Sequence, residues 1–249
     1  MSLADSISSW LRDQVRIANA QGLVFGLSGG IDSAVVARLC QLAVGDRCVG
    51  VVMPCHSAPQ DEEDARLVAG HFKIPVLHVP LEEPFDALTT RVDTAFNTVP
   101  GLRPHATDDP KARVPRANVK PRLRMATLYF VANRLNYLVA GTGNRSEITI
   151  GYYTKYGDGG VDLLPIGGLV KRDVWDLARE LGVPSRVIEK APSAGLWLGQ
   201  TDEAEMGFTY AELEEFITRG PAAVPEHTAQ RIQHLATVSE HKRALPPTP

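Results

Sequence analysis

The sequence predicts an α/β fold: a doubly wound parallel sheet with helices on both faces. Short, continuously apolar runs of strand length recur along the chain, and amphipathic helical patterns alternate with them. At 249 residues the chain is also long enough to wrap such a sheet around a sizeable core, and one domain covering 1–249 is the expectation.

In chain order, residues 3–20 place Ile7, Trp10, Leu11 and Ala18 on one face, which is the spacing of an amphipathic helix. The runs GLVFGL (22–27), CVGVVM (48–53), PVLHVP (75–80) and YLVAG (137–141) follow as strands, and their unbroken apolarity predicts cover on both faces. Helices are predicted at 32–43 (Val35, Val36, Leu39, Leu42), 61–72 (Ala65, Val68, Phe72) and 122–136 (Met125, Leu128, Ala132, Leu135). Two more are predicted at 171–181, ended by Gly182 and Pro184, and at 203–218. The stretch 97–121 has five prolines and reads as a long surface segment, and RALPPTP at the end is too rich in proline for regular structure. No internal repeat is visible.

Composition weighs against several classes of function. A formal charge of −3 supplies no general attraction to nucleic acid or to an anionic membrane. Cys40, Cys48 and Cys55 form no C-x-x-C pair, so they read as small buried thiols rather than as a zinc site or disulfide framework. MSLADSISSWLRDQ has no basic region followed by an apolar run, and about 18 consecutive apolar residues occur nowhere. The cytoplasm is therefore the expected location.

In a doubly wound sheet, ligands gather beyond the carboxyl ends of the strands. GLSGGIDS (26–33) lies where the first strand gives way to a helix. Gly29 and Gly30 allow the backbone to bend and aim N–H groups at phosphate, Ser28 and Ser33 add hydroxyls, and the helix start favours an anion. Asp32 would be repelled there unless a cation lay between it and the phosphates, and magnesium is the natural bridge. Taken alone, the glycine pair also reads as a plain turn and Asp32 as a helix cap. Neither a Walker A pattern nor a G-x-G-x-x-G after a strand is present.

Residues 141–171 form a second polar and glycine-rich cluster at the end of a strand. Glu147 offers a second carboxylate to a magnesium at Asp32, while Lys155 and Lys171 offer charge to phosphates. By itself the segment also reads as a glycine-rich loop with solvated charges.

SGGIDS resembles the loop of the ATP pyrophosphatase superfamily, Rossmann-like enzymes that cleave ATP between the α and β phosphates and adenylate a substrate. GTGNRSE, GYYTKYGDGGVDLLPIGGLVK and KAPSAGLWLGQTDEAEMGFTY closely resemble NAD synthetases, especially the short ammonia-dependent kind. The likeness runs from about residue 20 to 218 and resumes at His241, Lys242 and Arg243. It implies magnesium-dependent, ATP-consuming amidation of deamido-NAD by ammonia through an adenylated carboxylate, with Asp32 and Lys171 catalytic. It implies ATP contacts from Gly26, Leu27, Ser28, Gly29, Gly30, Ile31, Asp32 and Ser33, and from Thr142, Lys171 and Ser193. Asp32 and Glu147 would hold magnesium. Deamido-NAD would meet Arg122 in the KPRLR run, Lys155, Asp162, His241 and Lys242. A homodimer is implied as well.

The chain departs from the family pattern at Pro121, where many members have alanine, at Ser193, where some have threonine, and across 97–116, which matches weakly. No cysteine stands in a glutaminase context, so free ammonia, or a separate protein supplying it, is the expected donor. Two other readings stay open: another adenylating enzyme such as a tRNA thiolase, and a nucleotide-binding regulator without catalysis.

Overall fold

The computed structural model describes residues 2–102, 104–105, 109–193, 195, 197 and 201–249. Part of the family-like stretch 190–210 (Ala194, Leu196, Leu198, Gly199 and Gln200) and part of 97–116 (Arg103 and 106–108) lie outside the described residues.

Four strands, β1 (Gly22–Gly26), β2 (Cys48–Val52), β3 (Val76–His78) and β4 (Tyr137–Val139), form a parallel sheet in the order β3-β2-β1-β4. Leu23 of β1 pairs with Cys48 on one side and Leu138 on the other. A single parallel bridge from Ala140 to Leu163 extends the β4 edge. The chain winds outward from β1 to β3 and then returns to the far side of β1 to make β4. The order therefore reverses between β1 and β4, and the crevice at that reversal is where such sheets accept ligands.

Side chains alternate across β1, and two cores result. Leu23 and Phe25 face α1 (Leu3–Ile17), α2 (Ile31–Val44) and α8 (Lys171–Glu180), against Leu11, Val36, Leu39, Val174 and Leu177. Val24 faces the other side with Val49, Val51, Met53 and Val139, covered by Phe85 of α4 (Glu82–Phe96) and by Val131 and Ala132 of α6 (Val119–Leu135). A third cluster joins Ile150 of α7 (Arg145–Ile150) to Tyr210 and Leu213 of α11 (Tyr210–Arg219) and Ile232 of α12 (Glu226–Val238). Cys40, Cys48 and Cys55 are buried and free, and burial pushes the Cys48 thiol up to about 11.

Several elements differ from the sequence expectation. Val76, Leu77 and His78 are exposed rather than covered on both faces, because β3 is the edge of the described sheet. The segment 97–121 contains α5 (Pro110–Ala117), started by Asp109, whose carboxylate accepts from Lys111 N at 2.8 Å, and it runs into α6. The helix predicted over 203–218 is broken at Gly207, whose φ of +83° ends α10 (Asp202–Met206). Thr209 then caps α11 in a capping box with Glu212. Helices α4 and α12 carry narrow buried stripes, Phe85 and Thr89 in one and Thr228, Ala229 and Ile232 in the other, too sparse for apolar periodicity to reveal. The remaining pair, α3 (Pro59–Phe72) and α9 (Ser185–Ile188), flank the carboxyl side of β2 and the end of α8.

Among the described residues no helix is long and apolar enough to cross a membrane. Leu39 is fully buried in the first core, whereas Leu42 on the same helix is 40% exposed. Leu39→Ala is expected to cost about 2–5 kcal/mol, lowering the thermal midpoint by roughly 5–15 °C. Leu42→Ala should cost less than about 1 kcal/mol. Equal shifts measured by thermal denaturation would contradict this packing.

Candidate active site

The loop after β1 is built to present backbone N–H groups. Leu27 N still donates to Val51 O at 2.9 Å, as a continuation of the sheet, and the chain then turns. Gly29 has a φ of +79°, and a Cβ there would lie 2.2 Å from the Asp61 carbonyl oxygen, so no other residue fits without moving α3. Gly30 caps α2 in an extended conformation with no side-chain cap, leaving the first N–H groups of a 14-residue helix to another partner. Ser33 is buried and acts inside the loop: its hydroxyl donates to Gly30 O at 2.8 Å and accepts from Ser28 N at 3.2 Å. Leu27 and Ile31 bury their side chains in the first core, so only their backbone can meet a ligand.

Beneath this loop three elements bring charge together. Asp32 is in the first turn of α2, Glu147 in α7 and Lys171 at the start of α8. Lys171 Nζ lies 2.5 Å from Asp32 Oδ2 and 4.0 Å from Glu147 Oε1, and its side chain is only 2% exposed. Asn144 locks the group: its Nδ2 donates to Asp32 Oδ1 at 3.0 Å, and with Glu147 it forms the capping box of α7. Ser146 Oγ accepts from Lys171 N at 3.2 Å, tying α7 to α8.

Two carboxylates therefore share one almost fully buried ammonium. Burial first, and then Asp32, push the Glu147 carboxyl up to about 8, against the pull of Lys171 and the Asn144 N–H. Burial works against the Lys171 ammonium, but Asp32 and Glu147 outweigh it and its pKa rises. On the far side Lys171 lies 5.2 Å from the Tyr210 ring centroid, and Tyr210 OH donates to Asp202 Oδ2 at 2.8 Å. Burial raises the Asp202 carboxyl. Among the described residues no group of three or more His, Cys, Asp or Glu forms a metal cage. A pair of carboxylates short of positive charge, beside a glycine turn and an uncapped helix start, is a donor set that suits magnesium when phosphate oxygens and water complete its shell.

The second predicted set gathers along the glycine-rich segment. Arg122 Nη2 donates to Lys155 O at 3.4 Å, and the Lys155 ammonium donates to His241 O. Lys242 clips the same segment through Gly151 O at 2.6 Å and Tyr153 O at 2.5 Å, within a 3-10 turn at Glu240–Lys242. Asp162 is engaged elsewhere: its oxygens accept from Val139 N at 2.8 Å and Tyr129 OH at 3.0 Å. Burial and that bond raise the Tyr129 phenol to about 12. Thr142 follows β4, and Ser193 is exposed, its hydroxyl accepting from Gly195 N at 3.1 Å.

Sequence reasoning missed Asn144, Ser146, Asp202 and Tyr210. Asn144-x-x-Glu147 is a readable capping box, but nothing local announces that the same asparagine also holds Asp32, 112 residues away.

A carboxyl whose folded pKa is raised favours folding fully below its unfolded value, near 4.5 for Glu147, and loses that contribution as pH rises through about 8. Without ligands, the thermal midpoint of the wild type should therefore fall more between about pH 5 and pH 8 than that of Glu147→Gln. Parallel slopes for the two proteins would remove the charge imbalance from the account.

Known proteins resemble the chain over nearly its whole length. A family model for NAD synthase matches residues 3–246. The NH(3)-dependent NAD(+) synthetase of Carboxydothermus hydrogenoformans is 49% identical over 245 residues, covering 98% of this chain and 96% of that one. Among solved structures, the NMN synthetase of Francisella tularensis superposes with a TM-score of 0.89 at 35% identity, covering 99% of this chain and 97% of that one. The NH3-dependent NAD synthetase of Campylobacter jejuni, in complex with nitrate, gives 0.78 at 25% identity with the same coverage.

Proposed function

The chain belongs to the NAD synthase family, and from that premise we infer that it amidates deamido-NAD with ammonia at the expense of ATP, releasing NAD, AMP and pyrophosphate. The observation that carries the reading is the convergence of Asp32, Glu147 and Lys171 beneath an uncapped helix start and a glycine turn.

In this reading the N–H groups from Ser28 to Ser33 receive the β and γ phosphates of ATP, with Gly26, Leu27 and Ile31 contributing backbone. Asp32 and Glu147 hold magnesium, which supplies charge neutralisation to the triphosphate. Lys171 turns its ammonium toward the α-phosphate and offsets charge on the pentacoordinate phosphorus. The substrate carboxylate attacks that phosphorus, the bond from the α-phosphorus to the bridging oxygen breaks, and pyrophosphate departs into the loop. The nitrogen of ammonia then attacks the acyl carbon, the carbon–oxygen bond to AMP breaks, and the amide nitrogen gives up a proton. Thr142 and Ser193 flank the nucleotide. Arg122, Lys155, His241 and Lys242 supply cations and donors to the dinucleotide pyrophosphate, and Asp162 accepts from a hydroxyl.

A homodimer, a cytoplasmic location and free ammonia, or ammonia from a separate supplying protein, belong to the same proposal. The low overall charge supports the absence of a nucleic-acid or membrane partner.

One observation favours a second reading of the acceptor. The likeness to the Francisella NMN synthetase, at a TM-score of 0.89, suggests deamido-NMN, which presents the same nicotinate carboxylate without the adenylate half. Steady-state assays with ammonium, Mg-ATP and each acceptor separate the two. We expect kcat/KM for deamido-NAD to exceed that for deamido-NMN; the reverse order would reassign the acceptor and leave the reaction class intact. Efficient use of glutamine would overturn the ammonia assignment.

Asp32→Ala should lower kcat/KM for ATP about 10²- to 10³-fold. Lys155→Ala should raise KM for deamido-NAD and leave that for ATP near the wild-type value. Unchanged ATP kinetics in Asp32→Ala would dismiss the metal assignment.

A further inference from the structure

The residues so far assigned leave unused a charge cluster at the start of α3. Lys190 follows α9 and immediately precedes the segment that carries Ser193. Its ammonium lies 2.7 Å from Asp61 Oδ1 and 2.8 Å from Asp64 Oδ2. Asp64 is buried, and its other oxygen accepts from Arg186 Nε at 2.7 Å and Gln60 Nε2 at 2.9 Å. Asp61 and Asp64 are three residues apart on one helix, where like charges repel, and Lys190 offsets both.

The same two aspartates touch the phosphate loop. A Cβ on Gly29 would meet the Asp61 carbonyl oxygen at 2.2 Å and Asp64 Cβ at 3.0 Å, so the first turn of α3 presses on the crest of the loop. On the other side, Asp61 Oδ2 lies 3.9 Å from the Cβ position of Gly195, two residues beyond Ser193. Asp61 thus stands between the loop after β1 and the Ser193 segment, and Lys190 bonds it to the latter. Side chains of Lys190 and Asp61 are only 27% and 29% exposed, so the bridge is more than a solvated surface pair.

We propose that Lys190 is a positioning residue for ATP: by neutralising Asp61 and Asp64 together, it latches the Ser193 segment and the first turn of α3 against the phosphate loop. Gly29 and Ser193 then face the nucleotide in a fixed relation. The proposal rests on the reading that Ser28 to Ser33 hold the phosphates.

Lys190→Ala and Lys190→Arg test it, with KM for each substrate and with amide hydrogen exchange on the ligand-free protein. Lys190→Ala should raise KM for ATP about tenfold, change KM for deamido-NAD by less than about twofold, and speed exchange from Ser28 to Ser33. Lys190→Arg, which can still span two carboxylates, should restore both. Weaker ATP binding with unaltered exchange would mean that the lysine meets the nucleotide directly, and would overturn the latch. A parallel rise in both KM values, or an unchanged KM for ATP, would overturn it too. Should Lys190→Ala fail to fold, Asp61→Asn removes one of the two bridges and is read in the same way. Exchange is measured without substrate, so if the wild type did not use ATP the functional reading would fail while the latch was still decided.

Discussion

The structure turns on a charge imbalance in a partly buried corner, where Asp32 and Glu147 share the ammonium of Lys171. In water such a pair would be worth little. With Lys171 almost fully buried, the protonation of Glu147 and of Lys171 depends on their surroundings, and burial together with the neighbouring Asp32 carboxylate raises the Glu147 carboxyl. Asn144, Ser146 and Tyr210 support this arrangement: Asn144 bonds Asp32, Ser146 holds the Lys171 backbone N–H, and the Tyr210 ring lies beside the Lys171 ammonium.

The sheet order explains why these residues meet. Because the chain winds from β1 out to β3 and returns on the other side of β1 as β4, the loops after β1 and β4 open side by side at the reversal. One loop supplies the glycine turn and Asp32, and the other supplies Asn144 and Glu147. Helix α8 packs on α2 in the first core and delivers Lys171 to the junction. The apolar contacts of Leu39, Val174 and Leu177 therefore help set the geometry of a polar site built from other residues.

Much of this was legible in the sequence. The four strands, the helices of the winding core and the glycine turn between β1 and α2 follow from apolar periodicity and from a glycine pair at a strand-to-helix junction, because both are local signals. The pairing of Asp32 with Lys171 is not local, since 139 residues separate them: each was a candidate for its own charge, and nothing in the spacing announced that they meet. Helices α4 and α12 escaped because their buried stripes are a few residues wide, and the break at Gly207 because a positive φ does not alter hydrophobic spacing. The exposure of β3 was hidden because an edge strand can be as apolar as a central one. Arg122, Lys155, His241 and Lys242 were named from motifs, and the structure does bring them together. Asp162 was named in the same way, but its carboxylate also holds Val139 N and Tyr129 OH, a structural duty no motif records.

A crystal structure of the protein with magnesium and α,β-methylene-ATP tests the central claim most directly. The account predicts phosphates on the N–H groups from Ser28 to Ser33, the metal between Asp32 and Glu147, and the Lys171 ammonium moved from Asp32 to a phosphate oxygen. A nucleotide bound elsewhere, with the Asp32–Lys171 pair unbroken and no metal beside Glu147, would contradict it.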